Sequence, residues 1–209
     1  AYMCDWDAPE GFWWCADHVE GGLDYDEAAM LCTHGADKGA DGLRFRPYVT
    51  PLGYEDCASY LDEWLLGDNN LNFLTMWACH SMDDNFWDDW ADAMDGLHQV
   101  NGLHGNGCIG CSMADEIEDF VEDSFSNPGG FSIATSWVLH LTDQGPPSGQ
   151  EICAVTRLED ETGIGVYYRA LYERYDNVWD DPYGDVYAVR YESGCWPAGE
   201  TMIGANLNE

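Results

Sequence analysis

Ala28-Ala29-Met30-Leu31-Cys32-Thr33-His34-Gly35 and Phe73-Leu74-Thr75-Met76-Trp77-Ala78-Cys79-His80-Ser81 are the two stretches on which the reading of this chain turns. Each is a short, mostly apolar run that ends at a residue able to do chemistry. Strands buried on both faces read as continuous apolar segments, and such strands belong mainly to parallel sheets. Open α/β sheets carry their ligands and chemistry just beyond the carboxyl ends of their strands. The two runs therefore predict parallel strands over 27–33 and 71–78 that deliver His34 and Cys79 to one sheet edge.

Outward from this pair, strands and helices alternate. A first strand is expected over 11–19 and a Gly- and Asp-rich loop over 35–53. Residues 55–66 have helical periodicity and stop at Gly67. Residues 84–95 predict an amphipathic helix, with Phe86, Trp87, Trp90 and Met94 inward and Asp84, Asp88, Asp89, Asp92 and Asp95 outward. A strand is expected over 97–103, ending at His104-Gly105. An acidic helix over 112–125, capped by Ser112, and a helix over 131–142 follow. Strands are expected over 151–158 and 185–191, while 164–179 suits a helix and a strand equally. The pattern predicts one α/β domain spanning 1–209 with a mainly parallel sheet. Its core would occupy about 11–145, and a sheet-edge extension with antiparallel character about 150–209.

Composition narrows the partners. Forty acidic residues face seven Lys and Arg, for a net charge of −33. Phosphate backbones need clustered cations, so nucleic acid is excluded as a partner. No apolar run approaches the roughly 20 residues of a membrane-spanning helix. Acids spread along the whole length predict a solvated shell suited to concentrated salt, in an extracellular or cell-surface setting. Nine cysteines fit an oxidising compartment, and an odd number leaves one thiol over within a monomer. If that thiol is Cys79, the other eight can form up to four bridges.

The thiolate is the nucleophilic form of cysteine, and a neighbouring imidazole raises its fraction or takes its proton. Backbone N–H groups of Gly35 and Cys79 would then face a developing oxyanion. An apolar strand ending His-Gly, followed by one ending Ala-Cys, resembles the caspase, gingipain and legumain clan of cysteine peptidases. Cys79-His80-Ser81 is also similar to the Cys-His-Ser run of metacaspases. The resemblance covers about residues 25–110. It implies a caspase-like three-layer α/β/α sandwich, with His34 as general base and acid, Cys79 as nucleophile and a peptide or protein as substrate. Trp77 and Met82 depart from the metacaspase pattern, which carries an acid and a glycine there. Asp83 and Asp84 lie close enough to line a substrate pocket with Trp77 and His104, and His104 is also an alternative base.

No cofactor is required by this chemistry. Asp176, Asp180, Asp181 and Asp185 form an oxygen-rich stretch that suits Ca²⁺. Cys108-Ile109-Gly110-Cys111 suits a disulfide or two unpaired structural cysteines, and also a redox pair or, with His98 and His104 upstream, a zinc site. A different class of function fits the same composition: a non-catalytic subunit of a surface filament or lattice, its aromatic residues buried between copies, or a caspase-like scaffold used only for binding.

Overall fold

The computed structural model describes residues 2–4, 24, 26–37, 43–46, 59–61, 64–68, 70–103, 112–126, 130–143, 152–158, 172–179 and 186–192. Nine strands and three α-helices lie among them. The main sheet has six strands in the order β1 (Tyr2–Cys4), β2 (Ala28–Cys32), β6 (Phe73–Trp77), β7 (Gln99–Leu103), β8 (Ile152–Leu158) and β9 (Val186–Glu192). The first four are parallel, whereas β8 and β9 join antiparallel. This is an α/β arrangement built on the two apolar runs.

Alternation along the strands sorts the core into two clusters. Ala29, Leu31, Leu74 and Met76 face one way, toward Trp90 and Met94 at the helix α1 (Trp87–Ala93). Met30, Phe73 and Trp77 face the other way, toward Phe120 of α2 (Ser112–Val121) and Trp137 of α3 (Ile133–Asp143). Both faces of β6 are covered, and each of its five residues is buried. That is why the strand carries no polar alternation. Burial of one such large side chain stabilises by about 1.5–3 kcal/mol.

A second sheet of three short antiparallel strands, β3 (His34–Asp37), β4 (Leu43–Arg46) and β5 (Ser59–Tyr60), follows β2. It replaces the loop expected over 35–53. It also interrupts the helix expected over 55–66: Ser59 and Tyr60 pair with β4, and Leu66 forms a bridge with Met94. The helical spacing of Leu61, Trp64 and Leu66 reflects packing into one core cluster, where Trp64 stacks on Phe45 at 4.9 Å.

The helix expected over 84–95 begins as a 3₁₀ turn, Asp84–Phe86, before α1. Phe86, Trp90 and Met94 are buried, and Asp92 and Asp95 are exposed. Helix α2 runs on into a π-helical turn, Glu122–Ser126. The strand expected over 11–19 lies outside the described residues.

Candidate functional site

Strands β2 and β6 pair in parallel with Cys32 opposite Trp77. The ladder continues one step further, since the Thr33 N–H donates to the Trp77 carbonyl at 3.2 Å. His34 and Cys79 each stand two residues past these partners, so their backbones leave neighbouring strands at the same edge. Contact there is close. A Cβ placed on Gly35 would lie 1.8 Å from the Cys79 carbonyl oxygen and 2.9 Å from its carbonyl carbon. Glycine at 35 is what lets the chain after His34 press against the Cys79 backbone.

Cys79 is half-buried, and its sulfur is not part of a disulfide. The chain turns immediately beyond it. His80 takes a φ of 58°, the left-handed region that non-glycine residues seldom adopt. Its Nδ1 lies 3.1 Å from the Asp83 carboxylate. The other Asp83 oxygen accepts from the Asn85 backbone N–H at 3.1 Å and side-chain Nδ2 at 2.7 Å. Ser81 and Met82 tie the turn to the end of β7. The Leu103 N–H donates to Ser81 Oγ at 3.0 Å, and the Met82 N–H donates to the Leu103 carbonyl at 3.0 Å. Trp90 Nε1 in α1 donates to the Ser81 carbonyl at 2.8 Å. The segment carrying Cys79 is thus fixed from β2, β7 and α1 together, the rigid support a reactive side chain needs.

The other predicted residues fall as follows. Trp77 packs in the core: it is buried, and its ring meets Trp137 edge-on at 6.2 Å. Its place in the strand decides this, because position 77 faces α3. Asp83 is buried, and its carboxylate organises the turn after Cys79. Asp84 opens the 3₁₀ turn. Leu103 ends β7 at the same sheet edge, while His104 lies outside the described residues. So do Cys108, Cys111, Asp180, Asp181 and Asp185. Asp176 is exposed, and its carboxylate accepts from Arg174 Nε at 2.9 Å. That contact competes with the calcium role expected for it.

Two polar arrangements are not visible from local sequence. His98, fully buried just before β7, has its Nδ1 2.5 Å from Glu173 Oε1. The same carboxylate oxygen accepts the Trp179 N–H at 3.1 Å. His98 stands at the amino end of β7, away from the Cys79 edge. Glu116 and Asp119 of α2 and His140 of α3 bring ligand atoms within 4.8 Å of one another. Asp123 meets His140 Nε2 at 2.8 Å. This donor set suits a divalent cation. Glu116 and Asp119 share a helix face at i, i+3, but His140 reaches them only through packing of the two helices.

Among the described residues no helix is long and apolar enough to cross a membrane. No protein-family model, curated protein or solved structure matches the chain.

Proposed function

We propose that this protein is a cysteine-dependent hydrolase of peptides or related amides, built on a caspase-like α/β/α core. Cys79 is the nucleophile and His34 the general base and acid. One observation carries the reading: β2 and β6 are parallel neighbours in a register that brings the backbones at His34 and Cys79 to the same carboxyl edge, with Gly35 pressed on the Cys79 carbonyl.

His34 accepts the Cys79 proton, and the thiolate attacks the scissile carbonyl carbon. The backbone N–H groups of Gly35 and Cys79 donate to the oxyanion. Collapse breaks the C–N bond, His34 protonates the leaving amine, and a thioester remains. Water, deprotonated by His34, then hydrolyses the thioester and restores the thiol. The left-handed turn at His80, bonded to Asp83, supports this assignment because such backbone positions cluster at functional sites.

The test is alkylation of the native protein by limiting iodoacetamide, read by mass spectrometry. Cys79 should be the first site labelled, and His34→Ala should slow that labelling at least about tenfold at neutral pH. Equal labelling rates in the parent and His34→Ala would remove the dyad and leave a binding or assembly role for the same scaffold.

A further inference from the structure

A cavity of about 800 Å³ opens at the opposite edge of the sheet, beside the amino ends of β2 and β6. Its size falls in the range of small-molecule sites. One wall is a run of aromatic rings: Phe120 meets Phe125 edge-on at 6.1 Å, and Phe125 meets Tyr175 at 5.1 Å. Asp26 and Glu27 line the same cavity, and the Tyr175 hydroxyl donates to Glu27 Oε2 at 3.1 Å.

The sheet side of the cavity includes Thr75, whose Oγ1 accepts from Asn101 Nδ2 at 3.3 Å. Asn101 is fully buried on the middle of β7, and its Oδ1 has no hydrogen-bond partner among the described residues.

We propose that this cavity binds a small organic ammonium ion with an apolar body. Ring faces attract cations through their quadrupole, and carboxylates at the same wall supply the counter-charge. The apolar body replaces water against Phe120 and Phe125, and the donors of the ammonium group go to Glu27 and Asp26. An anion is repelled by the same carboxylates. A neutral ligand gains the apolar contacts and forfeits the charge contact. The site is separate from the Cys79 edge and stands whether or not Cys79 is catalytic.

The experiment is calorimetric titration of the full chain with phenethylammonium, with 2-phenylethanol and phenylacetate as neutral and anionic comparators. Glu27→Gln removes one carboxylate at the cavity, and the exposed Glu118→Gln removes the same charge away from it. Val121→Trp fills the cavity from a partly exposed wall position, with circular dichroism to confirm folding. One-to-one binding of the ammonium is expected. Glu27→Gln should weaken it about tenfold, Glu118→Gln should leave it unchanged, and Val121→Trp should abolish it. Equal binding of 2-phenylethanol, equal losses in the two glutamine variants, retained binding in Val121→Trp, or no saturable binding would each overturn the proposal.

Discussion

Gly35→Ala probes the closest backbone approach at the Cys79 edge. The added Cβ would meet the Cys79 carbonyl oxygen at 1.8 Å, its carbonyl carbon at 2.9 Å and its amide nitrogen at 3.2 Å. Non-bonded heavy atoms settle at roughly 3.5 Å, so the two segments must part by more than about 1.5 Å. The obstacle is backbone and cannot swing aside. The Thr33 N–H holds one segment to Trp77, and the Ser81 hydrogen bond to Leu103 holds the other. Overpacking of a well-fitted site costs about 1–3 kcal/mol, and the upper end is expected here. If the chain yields instead, His34 moves relative to Cys79, and a misplacement of about 1 Å costs on the order of 100-fold in rate. Urea unfolding followed by Trp fluorescence measures the first effect, and Cys79 alkylation with peptide turnover measures the second. Unfolding free energy within about 0.5 kcal/mol of the parent, with unchanged alkylation and turnover, would refute this account of the edge.

Three further outcomes are expected. His98→Ala removes the imidazole from the buried Glu173 carboxyl, which keeps the Trp179 N–H, and should destabilise by about 1–3 kcal/mol in urea titration, with partial recovery in His98→Leu/Glu173→Met; an effect under about 0.5 kcal/mol would deny the pair its structural weight. The Tyr175 phenol is held above its ordinary range, first by its hydrogen bond to Glu27, then by burial and by the negative charges of Glu27 and Asp26. Its folded value lies above the unfolded one, so this contribution is complete below about pH 10 and fades as pH rises through the folded value. The stability gap between the parent and Tyr175→Phe should accordingly be level from neutral pH and shrink at high pH; thermal unfolding in which the gap widens with pH would contradict the assignment. Finally, a net charge of −33 makes the molecule repel itself, and salt screens that field. Raising salt from 0.1 to 1 M shortens the screening length from about 10 to 3 Å and should speed both alkylation and turnover. A flat or falling rate in a protein shown folded by circular dichroism would count against this.

The central strands were legible because their burial is two-sided. Phe73–Trp77 is packed on both faces, and its mostly apolar run is the local mark of that position, whereas Gln99–Leu103 is buried throughout although three of its five residues are Gln, Asn and Gly. The α1 helix was legible for the complementary reason, a wet face of aspartates opposite Phe86, Trp90 and Met94. The second sheet was not. Its strands have four, four and two residues, and the described buried side chain within them is Phe45. A one-residue anchor in a Gly- and Asp-rich stretch leaves no period to detect. At the site, the two strand ends were predictable from their runs, but the close contact of Gly35 with Cys79 was not, because a His-Gly pair carries no record of what its backbone touches. The sheet face that Trp77 takes was not legible either, because distance along the chain from Cys79 says nothing about which face a side chain takes. The pairing of His98 with Glu173 and that of α2 acids with His140 join residues far apart in sequence, where only packing brings them together.

The most direct measurement is cleavage of a mixed-sequence peptide library in about 1 M salt by the parent, Cys79→Ala and His34→Ala, read by mass spectrometry. The proposed dyad predicts a reproducible set of cleavages in the parent and none above background in either variant. Cleavage that persists in Cys79→Ala, or its absence from the folded parent, would contradict the hydrolase.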